Sequence, residues 1–178
     1  MVVLAIAGML PGAVRSDQRD ARLDPLFGRL QSTPSDQEAQ AIEQRIWLIW
    51  SEAGEPGLAA LMREGVVALA QGRLGAALER FDRMVEQAPD FAEGWNKRAT
   101  VHFLMGNYQA SVGDIQRTLE LEPRHFGALS GLGLIYDAIE RPAAALRSFE
   151  AALAINPHLD STKERIEQLR RELGGRPT

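Results

Sequence analysis

An all-α solenoid of antiparallel helix pairs is the fold class this sequence predicts, and three observations predict it. Pro89, Pro123 and Pro157 stand 34 residues apart, each just after an apolar helical run. The same interval carries other residues with it. Gly65, Ala99 and Gly133 share one phase, Ala77, Ser111 and Ala145 a second, and Phe81, Ile115 and Phe149 a third. No stretch alternates polar and apolar residues convincingly enough to read as a strand. Self-similarity at a fixed period of this length marks stacked supersecondary units, none of which buries its apolar face alone.

Composition bounds what such a stack can do. The chain has 178 residues, 45% hydrophobic and 25% charged, which suits one globular domain. A formal net charge of −4 gives no basic field to attract nucleic acid or an anionic membrane. Cysteine is absent, so disulfides, thiolate zinc sites and catalytic thiols are excluded.

The elements follow in chain order. Residues 1–16 read as a signal peptide: Val2 to Leu10 is an apolar run, Pro11-Gly12 breaks it, and small residues precede Asp17. That run is too short to span a bilayer and fits the apolar region of an export signal. Export to the bacterial periplasm is therefore expected, with no stable membrane span after signal removal. No Lys or Arg precedes the run, so the expectation is either a true start further upstream or, as the alternative to export, a buried apolar N-terminus on a cytoplasmic protein.

Residues 17–57 predict a degenerate helix pair packed on the first repeat. Asp24-Pro25 starts a short helix carrying Leu26, Phe27 and Leu30. Ser35 and Glu38 have capping-box spacing. Beyond them Ile42, Ile46, Ile49 and Ala53 make one apolar stripe, which Trp47 and Trp50 widen. Pro56 stands 33 residues before Pro89, one off register.

In the periodic region, Gly133 falls inside the first helix of a pair and Ala145 inside the second. Small residues let two helices approach closely, offsetting the roughly 1 kcal/mol a helical glycine costs. Pro142 suits the turn or the first residues of the second helix, where its missing N–H is harmless. Pro157 ends that helix, because the residue before a proline avoids the α region. Tyr136 and Phe149 fill the space between the helices. Last, residues 160–178 place Ile166, Leu169 and Leu173 on one face, the pattern of a polar-backed capping helix.

Leu132, Gly133, Tyr136, Ala145, Phe149, Ala152 and Pro157, with Trp95 and Pro123 before them and Gly65, Ala77, Phe81 and Pro89 earlier still, resemble the tetratricopeptide repeat. The resemblance implies three repeats, 58–91, 92–125 and 126–159, wound into a right-handed superhelix. It also implies that first helices line a concave face where protein or peptide partners bind. Projected onto this chain, that groove takes Met62, Arg63, Val66 and Leu69, then Asn96, Lys97, Thr100 and Phe103, then Ser130, Leu134 and Asp137. Chaperone-binding relatives clamp a peptide carboxylate from places that here hold Met62, Val66, Lys97, Gly127 and Gly131. Only Lys97 offers a cation, so no such clamp is expected.

Chemistry is otherwise scarce. His102, His125 and His158 occupy different parts of the array and read as packing or turn residues. None of the short motifs of metalloproteases, serine hydrolases or redox dithiols occurs, and no catalytic residue, metal or cofactor is expected. Glu64 and Arg98, at equivalent positions of neighbouring repeats, are expected to form a partly buried ion pair. The function expected is that of a non-enzymatic scaffold for a protein or peptide partner in the bacterial envelope. The alternative is a structural component that self-associates through Trp47, Trp50 or an uncapped end, giving a homo-oligomer.

Overall fold

A computed structural model describes residues 20–174, which form nine helices and no strand. The expected export signal and the last residues of the tail lie outside the described residues. The helices are α1 (Leu23–Ser32), α2 (Asp36–Ser51), α3 (Pro56–Ala70), α4 (Leu74–Gln87), α5 (Ala92–Leu104), α6 (Tyr108–Leu121), α7 (Phe126–Ala138), α8 (Pro142–Ile155) and α9 (Asp160–Gly174). From α3 onward they stack as a right-handed α-solenoid, α3 on α4, α5 on α6 and α7 on α8, with α9 closing the end against α8.

The periodic residues sit where the stack needs them. Pro89, Pro123 and Pro157 lie in the joints between successive pairs. Within pairs the approach is close enough to demand glycine. A Cβ on Gly65 would come within 2.7 Å of the Phe81 ring, and one on Gly133 within 2.5 Å of Phe149. Pro56 and Pro142 each open a helix, α3 and α8, where no intrahelical donor is needed. At the far end Ile166 and Leu169 are buried with Phe149 and Tyr136, as a cap requires.

Ser35 does cap α2, its side chain accepting from the Glu38 N–H at 3.3 Å. The reciprocal half of the box is not made. Glu38 turns instead to Arg29 and to the Thr33 hydroxyl, and Thr33 Oγ1 takes the Ser35 N–H.

Two expectations are corrected. The N-terminal pair does not pack on the first repeat. Leu23, Phe27, Leu30, Ile42, Ile46, Ile49 and Trp50 form one core with Phe126, Ile155 and Leu159, residues at the two ends of the third pair. Only Ala53, in the link to α3, joins the core of the first pair. The stripe on α2 is wide and aromatic, and Trp47 and Trp50 meet Phe126 there, at 5.4 and 5.2 Å between ring centroids.

The Glu64–Arg98 pair does not form either. Arg98 makes two hydrogen bonds to Asp114, at 2.7 and 2.8 Å, and one to Asp82 at 3.0 Å. Glu64 pairs with Arg80 at 2.8 Å. In both cases the strongest partner lies 16 residues on, in the second helix of the same pair. This position faces its own hairpin mate, and repeats one and two carry the same bridge with its charges reversed.

Candidate binding groove

The expected groove residues all lie on α3, α5 and α7, the first helices of the three pairs, but they do not share one environment. Val66 and Leu134 are exposed, at 40% and 47%, and Leu104, one turn further along α5, is exposed at 53%. Arg63 and Thr100 are also open to solvent, and Leu69, Phe103 and Ser130 are half-buried. Met62 is instead buried in the core of the first pair. Asn96 is buried too, its amide donating to Glu93 at 2.9 Å. Asp137 is held by Arg165 of α9 through bonds of 2.5 and 2.7 Å. The first helices therefore leave Val66, Leu104 and Leu134 open to solvent in their C-terminal halves, while Met62, Asn96 and Asp137 are engaged within the chain.

What engages Asn96 is a polar cluster under α2. Glu93, in the first turn of α5, is fully buried and carries the negative charge at the helix end where the backbone dipole favours it. Lys97 stands 2.9 Å from one of its oxygens. His125 reaches the other at 3.0 Å through Nε2. The ring's tautomer follows from its second bond: Nδ1 accepts the Ala128 N–H at 3.0 Å, capping α7, so the proton sits on Nε2 and is donated to Glu93. Burial pushes the Glu93 carboxyl up, but Lys97 and His125 pull harder, and it is held down at about 2.

Aromatic rings close the cluster from above. Trp50 stacks flat on His125, with centroids 4.2 Å apart and planes 9° from parallel. Trp47 meets His125 and Phe126 edge-on, both at 5.4 Å, and the Lys97 ammonium lies 5.4 Å from its ring centroid. A Cβ on Gly127 would fall 2.5 Å from the tip of Trp47. Both tryptophans thus pack their rings within the chain, Trp50 buried and Trp47 half-buried. Polar ties brace the rim: Asp24 with Arg124 at 2.6 Å, Glu43 with Asn156 at 3.0 Å and Asp36 with His158 at 3.3 Å.

The histidines behave as packing and turn residues. His125 caps a helix, His158 tethers α2, and His102 packs within the second pair, 3.9 Å from Asp114. Among the described residues no group of side chains has the makings of a metal site, and no helix is long and apolar enough to cross a membrane. Sequence reasoning missed Glu93. Register could have found it, because Ala59 and Gly127 occupy the equivalent places 34 residues to either side, and a carboxylate among small residues needs a partner.

The sequence matches the tetratricopeptide repeat family over residues 40–92, 62–114 and 96–160. A TPR repeat-containing protein of Rhizobium etli is 38% identical over 157 residues, spanning 88% of this chain and 77% of that protein. A Protein SGT1 homolog of Bos taurus is 38% identical over 81 residues, 46% of this chain, which spans 24% of the bovine protein. In three dimensions the first TPR of Spaghetti (RPAP3), bound to the HSP90 peptide SRMEEVD, superposes with a TM-score of 0.63 at 17% identity, over 66% of this chain and 94% of that domain. With the family's pattern running unbroken from residue 40 to residue 160 and its helix pairs stacked as described, the chain belongs to the tetratricopeptide repeat family.

Proposed function

We propose that this protein is a non-enzymatic module that holds a partner protein or peptide on the concave face of its repeats. The observation that carries the reading is the row formed by Val66, Leu104 and Leu134, large apolar side chains left in water on successive first helices. Leaving such a row exposed has a cost that burial by a partner recovers, at about 25 cal/mol per Å². Rigid helices present it already ordered, which lowers the entropy cost of binding. The solved relative holding an HSP90 peptide supports peptide capture as something this architecture does. Here the positive groove residues are Arg63 and Lys97, and Lys97 is already paired with Glu93. An apolar or amphipathic peptide suits the row better than one held by its terminal carboxylate.

The site of action in this reading is the bacterial envelope, on the strength of the apolar run from Val2 to Leu10. Cross-linking pull-downs from periplasmic extract, with wild type beside the Leu104→Asp/Leu134→Asp variant, test the function. The variant is expected to keep its helicity and lose its partners; an unchanged partner list removes the open row from the reading. Mass spectrometry of the native N-terminus tests export, with cleavage near Asp17 expected.

A further inference from the structure

We propose that α2 is a resident ligand, and that the surface beneath it is a second docking site. Its partner would be an amphipathic helix bearing an acid followed at +4 and +7 by aromatic residues. The inference rests on the peptide-binding reading above and gives the partner a chemistry.

The receptor surface is built without α2. Glu93 keeps Lys97, Asn96 and His125, and His125 keeps the Ala128 N–H, all from repeats two and three. Lifting α2 away strands no charge, so the site survives as a polar floor beside Phe126 with a recess at Gly127. Into it α2 presents Glu43, Trp47 and Trp50, one residue per turn along a single face. Glu43 accepts from Asn156, Trp47 fills the recess and Trp50 lies on the His125 ring.

The fit is also incomplete. Trp50 Nε1 is buried and finds no acceptor among the described residues, and an orphaned buried donor is unfavourable. An incoming helix that seats a ring without a stranded N–H, or supplies an acceptor, has the advantage over α2. Departure breaks few polar ties. The link to α3 is four residues, 52–55, with Gly54 in the left-handed region at φ 63°, and the ties of α1 and α2 to Arg124 and His158 lie at the solvent-exposed rim. A resident helix of this kind lowers apparent affinity by the fraction of time it occupies the site.

A fluorescein-labelled peptide of residues 35–52 serves as the probe, titrated by anisotropy into the full chain. Against wild type, the Trp47→Ala/Trp50→Ala chain is expected to bind it at least 10-fold more tightly, in a 1:1 complex. Adding Gly127→Leu to that chain fills the recess and is expected to abolish binding, while Leu104→Asp/Leu134→Asp leaves it unaffected. Should the Trp-to-Ala chain, its repeat helices shown intact by circular dichroism, fail to bind the peptide, or bind it no better than wild type, the docking site is refuted while the open row still stands. If sedimentation shows wild type to be a dimer that the tryptophan changes dissociate, a second copy is the occupant and the proposal falls.

Discussion

At Glu93 a full charge is buried because three neighbours make burial worthwhile, and its titration exposes the bargain. The folded carboxyl sits at about 2, below its ordinary value of 4.5. A depressed carboxyl contributes stability that is complete above the unfolded value and is lost as pH falls through the folded one. The contribution is therefore whole at pH 5 and disappears progressively between about pH 4.5 and pH 2. Its size is on the order of a few kcal/mol. Replacing it by glutamine removes the titration, leaving Lys97 without its counter-charge at every pH. Urea midpoints measured from pH 5 to pH 2.5 should fall more steeply for wild type than for Glu93→Gln. Parallel curves would mean that the cluster is not a pH-linked support.

Among elements, the turns between paired helices differ in one residue that matters. Gly72 and Gly106 close the first two turns at φ 69° and 76°, and the equivalent place in the third is Glu140 at φ 57°. The hydrogen bonding is the same: Arg73, Asn107 and Arg141 each donate to a carbonyl of the preceding helix, at 2.8 to 2.9 Å. A side chain in the left-handed region costs about 1–2 kcal/mol, while glycine loses about 0.4–1 through the freedom of the unfolded chain. Glu140→Gly should accordingly stabilise the protein by about 0.5–1 kcal/mol, raising Tm by about 1–4 °C in calorimetry. A lowered Tm would show that the Glu140 side chain has a role of its own. The helices themselves were readable from proline spacing, the Ser35 cap and the isoleucine stripe, since each is a local rule. Where α2 docks was not readable. Its stripe fits many apolar surfaces, and Phe126 and Ile155 obey the repeat pattern whether or not a helix lies on them. The ion pairs went astray for a related reason. A 34-residue period aligns Glu64 with Arg98, but the side chains reach 16 residues on, across their own hairpin. Of the groove, Val66 and Leu134 were found open, and what is covered was hidden by α2, whose docking place the period does not set.

For the whole molecule, the clasp changes what kind of solenoid this is. In a plain repeat array each unit touches only its neighbours, and unfolding starts at an end and spreads. Here the first two helices bypass the first pair and grip the last. Asp24 meets Arg124, Gln31 donates to the Ala154 carbonyl, and Asp36 meets His158, across 100, 123 and 122 residues of sequence. Opening the third pair therefore releases the N-terminal pair, and losing either exposes the core that Phe126, Ile155 and Leu159 share with α1 and α2. Such a brace ties the ends into one cooperative unit. In urea, wild type should unfold in a single transition, with helicity and the fluorescence of Trp47, Trp50 and Trp95 moving together. Trp50→Ala removes the ring on His125 and should separate the two signals, reduce the m-value, and speed amide exchange in α1, α2 and α8 ahead of α3 and α4. If the variant melts as sharply as wild type, with the same m-value and merely a lower midpoint, then the clasp adds stability without joining the ends. The repeats would then be cooperative on their own account.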